Sequence, residues 1–379
     1  MTTLGELITL RRGYDLPESE RRPGSVPVIG SAGITGYHDT ARARGPGVTI
    51  GRSGASFGKV WFVREDYWPH NAALFVTDFK GNDPVFTRYL LESLDFSSLN
   101  SGSAQQSLNR NFVYGIPVAK TPLPEQRRIG GILSTYDDLI ENNRQRIGIL
   151  EEMVRALYRE WIVEFRFPGH QKVQRVASCI GDIPKGWEVK ALAEVVDVNR
   201  AQISPRTASD EIHYIDIASV SPGQIDAVTT YSLSEAPRRA RRIVQHSDVL
   251  WSCVRPNRRS HALVMYPEPD TIASTGFAVL TSKGVPYTFL YAATTTDEFV
   301  AYLTNNASGA AYPAVTASTF EKAKLIVPSD GLLEKFAELT VPMAEEAHFL
   351  RLQSANLRKT RDLLLPRLLS ERTANRSCL

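Results

Sequence analysis

The stretch that most constrains this chain runs from Leu123 to Phe167, LPEQRRIGGILSTYDDLIENNRQRIGILEEMVRALYREWIVEFRF. It holds no proline after Pro124, and its apolar residues fall on two interleaved seven-residue series. One is Leu133, Ile140, Ile147, Val154 and Trp161; the other is Ile129, Tyr136, Asn143, Leu150 and Leu157. Steps alternating between four and three are the heptad pattern that winds one helix around another. A single helix from Pro124 to Val163 would be about 60 Å long, too long for an ordinary helix packed in one globule. Pro124 suits a first helical turn, and Glu125 there meets the positive end of the helix dipole. Positions off the seam are charged, among them Arg127, Asp138, Glu141, Arg144, Glu152 and Arg155, so the seam needs a partner helix. Asn143 is the one strongly polar seam residue, suited either to fixing register inside the seam or to solvent.

A second heptad run supplies that partner. Phe336, Met343, Leu350, Leu357 and Leu364 step by seven through Leu332–Leu369, where Pro342 and Pro366 are expected to kink or end the helix. Before each helix lies a globule rich in short strands. In the first, Val26–Ile29, Gly47–Ile50, Val60–Val63 and Ala73–Val76 read as strands, Pro84–Leu94 as a helix and Val113–Val118 as a final strand. In the second, Tyr214–Ile217, Asp248–Trp251, Ala262–Met265 and Phe277–Leu280 read as strands, and Tyr287–Leu303 as a helix.

The halves match in order. Leu4-Gly5-Glu6-Leu7 pairs with Leu192-Ala193-Glu194-Val195, Phe75 with Phe277, Ser101-Gly102 with Ser308-Gly309, Ile116-Pro117 with Val327-Pro328, and Leu150 with Leu357. The expected organisation is α+β: a strand-rich globule at 1–121, a long helix at 122–166 and a connector at 167–185. A second globule at 186–328, a second long helix at 329–370 and a tail at 371–379 follow. Two helices with one seam each should pair as an antiparallel coiled coil that separates the globules. The chain has no run of 18 apolar residues and no apolar core to its N-terminus, which predicts a cytoplasmic protein without a membrane span. Cys179, Cys253 and Cys378 are isolated, so neither a disulfide framework nor a cysteine zinc site is expected.

With Leu123-Pro124-Glu125-Gln126-Arg127-Arg128-Ile129, the run Leu150–Trp161, the far-end Leu357–Leu369 and Gly186-Trp187, the chain resembles the specificity subunits of type I restriction-modification systems. The resemblance covers essentially the whole chain. It implies a non-catalytic reader of double-stranded DNA whose two target-recognition domains each contact half of a split target, with the helix pair setting the spacer. It further implies docking of two methyltransferase subunits and of restriction subunits, with S-adenosylmethionine and ATP bound on those partners and no cofactor on this chain.

Reading DNA takes cations for phosphates and a few amide or guanidinium groups for base edges. The first globule offers Arg11, Arg12, Tyr14, Arg42 and Arg44, then Arg52, Ser53 and Lys59 in a glycine-rich segment, and a polar loop with Gln105, Gln106, Asn109 and Arg110. The second offers Arg238, Arg239, Arg241 and Arg242, then Arg255, Asn257, Arg258 and Arg259, and Tyr312. Any of these cations could instead be merely solvated, and Tyr312 could pack beneath its loop. The segment Gly54–Lys59 fails as a phosphate loop, since Ser53 and Val60 stand where glycine and a magnesium-binding hydroxyl belong. His38, His70, His213, His246 and His261 show no metal-ligand spacing. The competing class is a coiled-coil scaffold whose globules bind protein.

Overall fold

The computed structural model describes residues 1–100, 107–204 and 209–370. The first heptad run forms one helix, Leu123–Tyr158, that widens into a π-turn at Arg159–Val163. The second forms the helix Asp330–Ser370. Two compact units divide the chain: one is Met1–Arg144 with Leu352–Leu379, the other Gln145–Arg351. Each unit therefore holds one globule and a stretch of both long helices.

In the first unit a four-stranded sheet runs in the order Thr9–Arg12, Ala73–Asp78, Gly47–Gly51, Val60–Val63. Beside it, Val26–Gly30 pairs antiparallel with Gly33–His38 and parallel with Trp68–Pro69. The core joins Leu4, Ile8, Val48, Ile50, Leu74, Phe86, Tyr89 and Val113 to Ile129 and Leu133 of the first long helix, with Leu364, Leu365 and Leu368 of the second packed against it. The helix Pro84–Glu92 starts on Asp83, whose carboxylate accepts the Phe86 amide at 2.9 Å.

The second unit repeats this plan. Its sheet runs Val196–Val198, Phe277–Ser282, Val249–Ser252, His261–Leu263. A second sheet places Glu211–Ile215 parallel to Thr271–Ser274 and antiparallel to Thr229–Ser232. Its core gathers Trp251, Phe289, Phe320 and Phe336 around Tyr158 and Trp161. The connector after Phe167 folds into a hairpin, Arg175–Ser178 against Gly181–Pro184.

Hydrogen bonds fix the internal correspondence. Leu4 N donates to Ile116 O at 2.9 Å and Leu192 N to Ala323 O at 2.7 Å; Leu108 N donates to Arg52 O and Val315 N to Cys253 O, both at 2.9 Å. Positions 116 and 323, 108 and 315, and the helix starts 123 and 330 each differ by 207. Ile116 is thus the counterpart of Ala323, not of Val327; the shared apolar-Pro dipeptide placed the match four residues late. Arg52 and Cys253 thereby correspond, and their amides donate to Ala72 O at 3.0 Å and Gly276 O at 2.8 Å, which makes Val279 rather than Phe277 the counterpart of Phe75. A two-residue shift keeps a strand's buried face, so apolar patterning cannot detect it.

Three other expectations change. Arg110–Tyr114 is a helix capped by Asn109, and only Pro117–Val118 is strand. Tyr287–Leu303 breaks into Tyr287–Thr294 and Asp297–Asn305, because the Thr296 hydroxyl accepts the Phe299 amide at 3.1 Å and starts a new helix. Pro342 and Pro366 do not end the second long helix. Both are exposed, as are Glu338 and Asp362, whose carbonyls lose a helical donor and face water instead.

The helices pair antiparallel within each unit. In the first, Asn143 Nδ2 donates to Gln353 Oε1 at 2.9 Å and to Ser354 Oγ at 3.3 Å, and Asp137 meets Arg361. In the second, Arg146 pairs with Glu346 at 2.7 Å, while the Tyr158 and Trp161 rings lie 6.4 and 6.2 Å from Phe336. Leu133, Ile140, Trp161 and Leu350 are buried; Ile147, Val154, Met343, Leu357 and Leu364 are half-buried. The interleaved series on the second helix is Thr340, Ala347, Ser354 and Arg361, small or polar positions that a count of apolar residues passes over.

Asp137 lashes the first globule to both helices. Its carboxylate accepts the Tyr89 hydroxyl at 2.6 Å, meets Arg88 at 2.8 Å and pairs with Arg361. Burial alone would raise its pKa; the tyrosine and the two guanidinium groups outweigh burial and hold it below the usual carboxylate value. A depressed folded-state pKa contributes stability that is present at neutral pH and lost as pH falls below about 4. Asp137→Asn should therefore lower the unfolding free energy at pH 7 by about 1–3 kcal/mol and shed part of the wild-type acid sensitivity. Urea titrations at pH 7 and pH 4 check both effects.

Candidate nucleic-acid interface

In the first globule the site grows from the end of the strand Thr9–Arg12. A hydrogen-bonded crossing fixes Tyr14 there: Tyr14 N donates to Pro69 O at 2.8 Å, and Asn71 N to Tyr14 O at 3.0 Å. The Tyr14 ring stands edge-on to buried Trp68 at 6.2 Å. Two guanidinium groups lie against these rings. Arg11 sits 5.2 Å from the Tyr14 centroid, and Arg42 sits 5.9 Å from Tyr14 and 5.1 Å from Trp68. Alongside, Arg12 and Arg52 both donate to the Asn71 carbonyl, at 3.3 and 3.1 Å. Burial, then the neighbouring Arg12 charge, lowers the pKa of Arg52. Arg110 reaches the Leu10 carbonyl at 3.5 Å. The strand end thus collects Arg11, Arg12, Arg42, Arg52 and Arg110 around Tyr14 and Asn71.

Other expected residues have local tasks. Asn109 spends its side-chain oxygen capping the following helix through Asn111 N at 3.0 Å. The Ser53 carbonyl accepts the Ser31 hydroxyl at 2.7 Å. Lys59 and Arg44 are exposed. The loop itself consumes its glycines: a Cβ on Gly51 would lie 2.1 Å from Ser56 O, and Gly58 turns at φ +75°. Gln105 and Gln106 lie outside the described residues.

In the second globule the arginines do not form one face. Arg238 and Arg239 are exposed on the approach to the edge strand Ala240–Ile243, whereas Arg241 occupies an irregularity in the ladder and Arg242 turns inward. Arg242 Nε is buried without a hydrogen-bond partner, and its charge partly offsets the burial that pushes the Cys253 thiol up to about 11. Arg255 and Tyr312, 57 residues apart, come together: the guanidinium lies 4.6 Å from the ring centroid and donates to Ala311 O at 3.2 Å. Tyr312 is 68% exposed, so it does not pack beneath its loop. Asn257 and Arg258 are exposed, while Arg259 is paired with Asp297. Among the described residues no group of three or more His, Cys, Asp and Glu side chains could hold a metal ion, and no helix is long and apolar enough to cross a membrane.

Sequence reading missed Trp68 and Asn71, which organise the first cluster. Their partners lie 19 to 59 residues away along the chain, so local patterning carried no trace of them.

The family profile of the type I restriction modification DNA specificity domain matches residues 1–152 and 184–331. The chain belongs to the type I restriction-modification specificity subunits. It is 22% identical over 278 residues to the type I restriction enzyme MjaIX specificity subunit of Methanocaldococcus jannaschii, covering 71% of this chain and 63% of that one. It is 23% identical over 308 residues to the HindI specificity subunit of Haemophilus influenzae, covering 65% and 66%. The chain thus spans a little under two thirds of the length of these relatives. Its fold is similar to the crystal structure of a type I S subunit from M. genitalium, with a TM-score of 0.63, 17% identity, and coverage of 97% and 95%.

In this specificity subunit the first matched stretch comprises one globule and most of the helix that follows it, and the second comprises the other globule and only the start of its helix. Because Arg238 and Arg239 are exposed and Arg242 is turned inward, the four arginines should separate by experiment. Arg238→Ala with Arg239→Ala should reduce the slope of log affinity against log salt by about 1–2 for DNA binding. Arg242→Ala should instead alter thermal stability and leave that slope unchanged.

Proposed function

We propose that this specificity subunit reads a split target in double-stranded DNA, one half with each globule. The supporting observation is a contrast between two sets of arginines. On and around the long helices, Arg64, Arg88, Arg128, Arg144, Arg146, Arg155, Arg351 and Arg361 each meet a carboxylate of this chain. In the globules Arg22 and Arg259 pair with Asp39 and Asp297, whereas Arg11, Arg12, Arg42, Arg52, Arg238, Arg239 and Arg255 form no ion pair among the described residues. Gathering like charges without internal counter-ions costs free energy that an external polyanion returns. That such unpaired arginines lie in both globules, with aromatic rings beside Arg11, Arg42 and Arg255, favours nucleic acid over a protein partner.

The subunit carries no chemistry of its own in this reading. Two methyltransferase subunits dock on the helix pair and restriction subunits complete the assembly in the cytoplasm, with S-adenosylmethionine and ATP held by those partners. The helix pair sets the spacer between the halves.

Co-expression with a methyltransferase subunit of the same system, followed by mapping of methylated bases across genomic DNA, tests the reading. One split motif is expected; a stable complex without a motif would move the chain to the scaffold class. Adding one heptad to each long helix lengthens the pair by about 10 Å, or about three base pairs of DNA. The mapped spacer should grow accordingly while both halves stay the same, and a changed half would refute the spacer role.

A further inference from the structure

We infer that Arg42 is a base-reading residue, and that the half-site contacted by the first globule contains a guanine recognised through its major-groove edge. The inference rests on the DNA-reading proposal and assigns one base pair within it.

The argument begins with how firmly Arg42 is held. Its own amide donates to Tyr67 O at 3.0 Å, and the next residue, Ala43, exchanges two hydrogen bonds of 2.9 Å with Tyr67. Tyr67 is fully buried, so the Arg42 backbone is anchored to the core. The ring facing its guanidinium is equally fixed. Trp68 is 7% exposed, its indole N–H donates to Tyr14 O at 3.4 Å, and His38 packs edge-on against it at 5.3 Å. Tyr14 is braced from behind by Phe75 at 6.0 Å.

Arg42 is nonetheless an exposed residue with no carboxylate partner among the described residues. Arg11, on the same Tyr14 ring, places a second positive charge nearby. An exposed arginine of this kind has already surrendered much of its side-chain freedom and lacks only an acceptor.

A phosphate contact requires only charge, which Arg11, Arg12 and exposed Lys59 can supply. A planar fork held against two rings offers what a point charge does not, two parallel donors in a fixed direction. Among base edges, guanine N7 and O6 accept such a fork bidentately; adenine and thymine each present a donor or a methyl group in place of one acceptor, and cytosine a donor. Neighbouring Arg44 is exposed and contacts no ring among the described residues, which makes it a natural control.

The test uses the subunit co-expressed with its methyltransferase partner, with methylated bases mapped for wild type, Arg42→Lys, Arg42→Ala and Arg44→Lys. Arg42→Lys keeps the charge but removes the fork. It should relax one guanine position in one half of the motif, lowering discrimination there by about ten- to a hundredfold, with the other half unchanged. That unchanged half shows that the variant folds and assembles. Arg42→Ala should relax the same position, and Arg44→Lys should leave the motif intact. An unaltered motif in Arg42→Lys, or a uniform loss across all targets with the motif preserved, would overturn the inference and return Arg42 to the phosphates. Absence of any split motif in wild type would instead sink the DNA-reading proposal itself.

Discussion

The contact on which most of the first unit depends is the carboxylate of Asp137. It sits on the first long helix, takes a hydroxyl and a guanidinium from the globule helix Pro84–Glu92, and takes a second guanidinium from the other long helix. Three elements far apart in sequence thus share one negative charge. Its cost in desolvation is offset by three donors, whereas half-buried Glu92 nearby has a raised pKa because desolvation outweighs its pairing with Arg88. The second unit uses the same device in other residues: Tyr266 and Tyr287 of the globule donate to Glu345 of the second long helix, at 2.9 and 3.5 Å. In both units a tyrosine-to-carboxylate bond ties recognition domain to helix, so the loops that face outward are carried on a fixed mount.

That division of labour extends to charge. Arginines that hold the frame are neutralised at home, and those near Tyr14 and Tyr312 are backed by aromatic rings instead of acids. A ring holds a guanidinium in place without cancelling its charge. Pairing with an acid would fix the side chain equally well but would leave it nothing to offer a partner. The same residue type therefore builds the scaffold in one setting and remains available in the other, and the neighbouring side chain decides which.

The long helices and the tandem order were legible because heptad spacing and β-branched runs are local signals. Leu133, Ile140 and Trp161 could be assigned to the seam from spacing alone. The second helix was only half legible: Thr340, Ala347 and Ser354 are buried in its other heptad series, and small or hydroxylic residues do not register in a count of apolar positions. Pro342 and Pro366 misled because a proline's cost depends on whether its freed carbonyl meets water, which spacing does not report. Within the candidate site, cationic residues were visible by type, but their sorting was not. Arg242 turns inward while Arg239 stays out because of a strand irregularity, and Arg42 finds Trp68 only through the pairing of Ala43 with Tyr67.

The amide of Asn143 has a consequence for how the helices can move. Its donors are met by Gln353 and Ser354. A slip of the second helix by one heptad would put Ala347 or Arg361, neither of them an acceptor, in the place of Ser354, while Glu346 or Thr360, which do accept, would take the place of Gln353. The slipped register thus loses one of two acceptors, about 1 kcal/mol, whereas the Leu and Ile contacts on either side are nearly interchangeable from one heptad to the next. The oily residues supply adhesion without position; the amide tilts the choice of register toward one notch.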